Sequence, residues 1–193
     1  MAHMDAHATP TDWQPRIEAV WADETLTPGE VVTRISVLAS ELGPTDPRGP
    51  FELGGAHDSA GDEAAAALHY ERAIELGLSG SARAELDIQY GSTLRNLGRH
   101  DEAVAVLARH VGDTERDPAL GAAPEAFLAL ALHSAGRSDE ALAVALEALI
   151  PTVPRYQRSL RGYASALRTA GAAPGRHPSP GTGSGPGPGT LPA

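Results

Sequence analysis

The chain has 193 residues, 41% of them hydrophobic but only 4% aromatic, and a formal net charge of −10. That is enough for one domain with a real core, packed largely with alanine and aliphatic side chains. The charge argues against general nucleic-acid binding, which needs a basic surface; the lack of cysteine rules out disulfides and thiolate metal sites; and no stretch reaches the ~20 apolar residues that span a bilayer.

Residues 1–10, MAHMDAHATP, have neither the basic nor the apolar run of a secretory signal, so a flexible start and a cytoplasmic location are expected. Beyond them, runs such as EAAAALHYERAIELG are rich in strong helix formers and poor in β-branched residues, and the expected class is all-α. Asp12 is placed to cap a helix running to about Asp23. Pro28 suits the first position of the next helix, where Val31, Val32, Ile35, Leu38 and Leu42 form one apolar face that ends near Gly43. These two make an amino-terminal pair over 11–47, followed by the turn-rich joint GPTDPRGP. Seven further helices are expected near 50–60, 63–76, 81–97, 101–112, 122–135, 139–150 and 155–170. Their three to four turns suit helical hairpins rather than one long coiled coil. The Pro/Gly-rich residues 172–193 have little to bury and are expected to be disordered.

A repeat runs through this pattern. GSTLRNLGRHDEAVAVL, from residue 91, and LALALHSAGRSDEALAV, from residue 128, share one construction. The marker glycines Gly61, Gly98, Gly136 and Gly171 are 37, 38 and 35 residues apart, each just past a helix rich in small and aliphatic residues. At such a place glycine accepts a left-handed cap without cost. Ser138 is placed to cap the following helix, and Asp101-Glu102 and Asp139-Glu140 put negative charge on positive helix ends. Ala66, Ala103 and Ala141 allow two helix backbones to approach closely.

The spacing resembles the tetratricopeptide repeat, a helix-turn-helix unit of about 34 residues. The matching residues are Leu53-Gly54, Ala66, Tyr70 and Ala73 around Gly61; Tyr90-Gly91, Leu94, Ala103 and Leu107 around Gly98; and Leu128-Ala129, Leu132, Ala141 and Ala148 around Gly136. The resemblance covers roughly 48–171, with the last helix as an unpaired cap. Departures are the missing first-helix Trp, a closing proline present only approximately as Pro118 and Pro154, and His110 where a late alanine is expected. FELGGAHDSAG, GSTLRNLGR and PRYQRSLRGYA look like the small bacterial tetratricopeptide repeat family 5. The resemblance implies a right-handed superhelical array of antiparallel helix pairs, an α-solenoid of about nine helices, with a protein-interaction role and pairing with a second copy.

Chemistry is harder to find. No phosphate loop, nucleophile elbow or H-E-x-x-H stands in the sequence, and the acids gather at helix starts, so neither an enzyme nor a cofactor is expected. His57 and His133 lie two helix steps apart, with about 8–10 Å per step, too far to share an ion. In tetratricopeptide arrays the first helices line the concave surface. Three residues before each marker glycine stand Asp58, Arg95, His133 and Arg168; Ser59, Asn96, Ser134 and Thr169 follow them, and Ser59, Ser92 and Ser134 read as small polar lining. An Asp58–Arg95 ion pair is expected within that row. On the cap helix, Arg158, Arg161 and Arg168 fall within about 80° of each other, opposite Tyr156, Leu160, Tyr163 and Leu167. The carboxylate clamp of chaperone adaptors is absent, with Ile88 and Ser92 at two of its places. The reading is a non-enzymatic module that binds a peptide or protein segment through Asp58, Ser92, Arg95, Asn96, His133, Arg158, Arg161 and Arg168, without metal, nucleic acid or membrane. Its alternatives are a structural homodimer using Trp13 and Trp21 or the cap helix, and a sensor of a small anion held by the Arg stripe.

Overall fold

A computed structural model describes residues 11–111 and 117–171; the expectations for 1–10 and 172–193 lie outside the described residues. Within them the chain forms nine α-helices and no strand: α1 (Trp13–Trp21), α2 (Pro28–Ser40), α3 (Arg48–Ser59), α4 (Glu63–Glu75), α5 (Gly80–Asn96), α6 (His100–Leu107), α7 (Ala123–Ser134), α8 (Ser138–Leu149) and α9 (Gln157–Gly171). The helix expected over 101–112 stops at Leu107 and tightens into a 3-10 turn, Ala108–His110.

Local chemistry sets most of the ends. Thr27 and Glu30 form a reciprocal cap at α2, with Pro28 in the first turn, and Asp62 accepts from the Ala65 N–H at 3.1 Å to start α4. Two expected caps are not made. Asp12 stands at the cap position of α1 without a side-chain bond, and Ser138 is already inside α8, whose cap position is Arg137. There the arginine closes the first turn from the side: Arg137 clamps Glu140 at 2.8 and 2.7 Å, as Arg99 clamps Glu102 at the same distances before α6. An extended two-toothed ion pair replaces the short hydroxyl.

Three of the four marker glycines behave alike, whereas Gly171 lies within α9 as its last residue and not past its end. Gly61, Gly98 and Gly136 have φ of 77, 77 and 76°, and the next residue's N–H reaches back five positions, to the carbonyls of His57, Leu94 and Leu132, at 2.9 Å each. Three identical reversals turn α3 onto α4, α5 onto α6 and α7 onto α8, while α9 packs on α8. The first helices α3, α5 and α7 are neighbours in that order, and α2 lies against α3.

One core runs through the repeats, including Ala66, Tyr70, Leu86, Leu94, Ala103, Leu107, Ala131 and Leu132. A second joins the amino-terminal pair to α3 through Trp13, Ile17, Ile35, Leu38, Leu42 and Ala56. In it the Trp13 indole N–H donates to the Leu38 carbonyl at 2.8 Å and the Arg48 guanidinium lies 5.2 Å over the ring. Close helix approach demands glycine twice. A Cβ on Gly54 would come within 2.5 Å of Tyr70 Cδ1, and one on Gly91 within 2.5 Å of Leu107 Cγ.

The missing tryptophan has a structural counterpart. In the middle repeat its place, three residues before Tyr90, is held by Asp87, only 2% exposed. Asp87 accepts from Arg83 Nε at 2.8 Å, and its other oxygen lies 2.8 Å from His110 Nε2. The two departures from the repeat pattern are therefore one polar pair, joining α5 to the end of α6 where Trp and Ala would have met by packing.

Candidate functional site

Between α1, the length of α3 and the first half of α5, the three helices leave a half-open cleft of about 820 Å³. Helix α1 supplies Gln14, Ile17, Glu18 and Trp21; α3 supplies Arg48, Phe51, Glu52, Gly55, Asp58 and Ser59; α5 supplies Ser81, Ala82, Glu85 and Gln89. Helical spacing explains the contribution of α5, since residues 81, 85 and 89 recur every four positions on one face.

Trp21 is held in place. It is 41% exposed, its Nε1–H donates to Glu52 Oε2 at 2.7 Å, and a Cβ on Gly55 would meet its Cζ2 at 3.4 Å. The benzo edge thus lies over the bare backbone of α3, and Gly55 keeps the cleft open. Below it, the buried Tyr70 hydroxyl donates to Gln89 Oε1 at 2.8 Å, and Gln89 Nε2 donates to Glu85 Oε1 at 3.3 Å. Gln89 is therefore oriented from the core.

The electrostatics are one-sided. Four carboxylates, Glu18, Glu52, Asp58 and Glu85, face one guanidinium, and that group, Arg48, is itself held by Asp46 at 3.0 and 2.6 Å. Burial pushes the Glu52 carboxyl above its ordinary range against the Trp21 hydrogen bond, and the neighbouring charges of Glu85 and Glu18 push it further. Asp58 is raised too, chiefly by burial, although Thr93 Oγ1 lies 2.9 Å from its Oδ1. Elsewhere arginine pairs hold carboxyls down, as Arg16 does for Glu41, Arg99 for Glu102 and Arg137 for Glu140.

Of the residues expected from the sequence, Asp58 and Ser59 line the cleft. The Asp58–Arg95 ion pair is not formed: Asp58 takes Thr93, whereas Arg95 Nη2 donates to Asn96 Oδ1 at 3.0 Å and its buried Nε has no partner among the described residues. The reason is angular, since Thr93 and Arg95 lie about 160° apart around α5, so the helix face that meets Asp58 carries Thr93 and not Arg95. Ser92 is half-buried, and Asn96 and His133 are exposed. On α9, Arg168 pairs with Glu147 of α8, Arg161 Nη2 donates to Gln157 Oε1 at 3.2 Å, and Arg158 is exposed. The stripe is thus partly neutralised. Its opposite face is not uniformly buried either: Ala164 is fully covered, whereas Tyr156 and Tyr163 are 77% and 66% exposed.

Sequence reasoning missed Trp21, Glu18, Glu52 and Glu85 as lining. The two tryptophans, taken together as a candidate interface, part company: Trp13 is core at 1% exposure and Trp21 walls the cleft. Nor was the neighbourhood of His57 and His69 visible; their rings stack with centroids 5.2 Å apart across α3 and α4.

A family model described as "Tetratrico peptide repeat" matches residues 47–167, more than half of the chain. Helix α1, with Glu18 and Trp21, lies outside the matched span. A search of curated proteins gives no match.

Proposed function

Because this chain belongs to the tetratricopeptide repeat proteins, whose helical arrays are protein-interaction scaffolds, we propose that it binds a segment of another protein along the face lined by α3, α5 and α7. The cleft at Trp21 is the observation that carries this reading. It is large enough for one or two side chains, has an aromatic wall, and is kept open by Gly55, where a Cβ would meet Trp21 Cζ2 at 3.4 Å.

The rest of the path follows from the repeat. The α5 row of Ser81, Glu85 and Gln89 continues through Ser92 to Asn96 by the same helical stride. Six residues before the marker glycines stand Gly55, Ser92 and Leu130, so the path passes from an open acidic cleft to a polar stretch and then to an apolar one; Leu130 is 50% exposed. Arg95 and His133 flank it, and Arg158, Arg161 and Arg168 form its far end. An extended segment is the matching occupant, because it presents side chains to successive helices.

Hydrogen exchange tests this directly. The chain is compared free and with the partner captured from its native host. Slowed exchange in α1, α3 and α5 is expected; slowing confined to α2, α4 and α6 overturns the assignment. No helix among the described residues is long and apolar enough to cross a membrane.

A further inference from the structure

The cleft has an excess of one charge that the fold does not cancel. Eight arginines form ion pairs with carboxylates outside the cleft: Arg16, Arg34, Arg48 (which lines the cleft but pairs with Asp46), Arg72, Arg83, Arg99, Arg137 and Arg168. Glu18, Glu52, Asp58 and Glu85 form none among the described residues; their polar contacts are an indole N–H, a hydroxyl and an amide. Glu52 and Asp58 are half-buried while Glu18 and Glu85 are exposed at the rim, and withdrawing the first two from water beside like charges is costly unless something positive arrives. Their surroundings match a particular kind of cation. Trp21 and Phe51 offer aromatic surface for a flat or alkyl-stemmed cation, and a volume of about 820 Å³ suits a long side chain rather than a compact ion.

We propose that this cleft receives an arginine or lysine side chain of the partner segment, with its cationic head among Glu52, Glu85 and Asp58 and its stem against Trp21. The inference rests on the reading that this face binds a protein segment, and it names the chemistry of that segment: a basic residue, set in the cleft before the chain runs on toward Leu130. Charge complementarity selects it, since a partner bringing a carboxylate to this end would meet four of its own kind. Arginine has the better geometry because its planar fork can reach two carboxylates at once. Helix α1 makes the selection possible: it supplies the indole and Glu18, and it stands outside the span matched by the repeat family.

The experiment is a selection of random peptides on the immobilised full chain, followed by affinity measurements on synthetic winners by fluorescence anisotropy. Three proteins are run in parallel, each checked for a cooperative helical melt no lower than that of wild type: Gly55→Leu, which fills the cleft, the double change Glu52→Gln with Glu85→Gln, which keeps its shape and removes two of its four charges, and wild type. The expected winners are rich in Arg or Lys, lose about tenfold or more in affinity for the double variant and when the key arginine is replaced by citrulline, and weaken with added salt. Winners that depend on Gly55 yet carry no excess of basic residues, and bind the double variant as well as wild type, overturn the cationic assignment while leaving the groove. Winners indifferent to Gly55→Leu overturn both. A spermidine arm separates sources: if free spermidine displaces the peptides at concentrations comparable to their own, the cleft is a small-cation site and the proposal falls.

Discussion

At the scale of single residues, Glu52 shows what the cleft costs and what it is for. Its carboxyl is pushed up by burial and by Glu85 and Glu18, so the folded chain holds a proton there more tightly than the unfolded chain does. A raised carboxyl contributes stability that is present at low pH and lost as pH rises through its folded value. At neutral pH the ionised group is therefore a burden. Glu52→Gln keeps an oxygen for the Trp21 N–H and removes the charge, and we expect it to melt about 2 °C higher than wild type at pH 7. The gap should close as pH falls toward the ordinary glutamate range, about 4.3. Glu102 and Glu140, lowered by Arg99 and Arg137, act in the opposite sense and lose their contribution in acid. A Glu52→Gln protein that melts lower at pH 7 would make the carboxylate a structural group and remove the physical basis of the cleft's preference. None of this could be read from Glu52 in the sequence. Its neighbours Trp21 and Glu85 lie 31 residues before and 33 after it, and it carries no motif.

Helices and their pairings were the most legible level. The positions of Gly61, Gly98 and Gly136 set the register because each reversal needs a positive φ that side chains resist, and small residues such as Ala66 and Ala103 had to stand where backbones meet. Gly91 puts a number on that constraint. Glycine within a helix usually costs about 1 kcal/mol relative to alanine, yet here the added methyl would run into Leu107, itself only 1% exposed and with nowhere to move. Overpacking of this kind costs about 1–3 kcal/mol, so Gly91→Ala should lower the urea midpoint, whereas Gly55→Ala, which meets only ordinary contacts, should hold or raise it. Equal gains at both sites would mean that α5 and α6 do not meet at Gly91. The Asp87–His110 pair was not legible in the same way. Each residue read as a separate lapse from the repeat, 23 positions apart, and only the packing of α6 against α5 makes them one feature.

For the whole molecule, the sequence supplied an all-helical array and an acidic total, but not where the charge would be left uncancelled. The row searched for function ran three residues before each marker glycine, near the carboxyl ends of the first helices. It found Asp58 and, beside it, Ser59, both in the last turn of α3 and both on the cleft, but the rest of the lining comes from earlier turns of α3, from residues 81–89 of α5 and from α1 where it crosses α3. That crossing depends on how two helices outside the repeat dock, through Trp13, Ile17 and Ala56, and periodicity along one chain cannot describe it. The central claim is that this cleft is where a partner segment is held. The most direct measurement is the affinity of one purified partner, captured from the native host, for wild type and Gly55→Leu at matched ionic strength. The account predicts a loss of about tenfold or more on filling the cleft, the scale of a displaced central contact, with an unchanged or higher melting temperature. Wild-type affinity in a normally folded Gly55→Leu protein would contradict it.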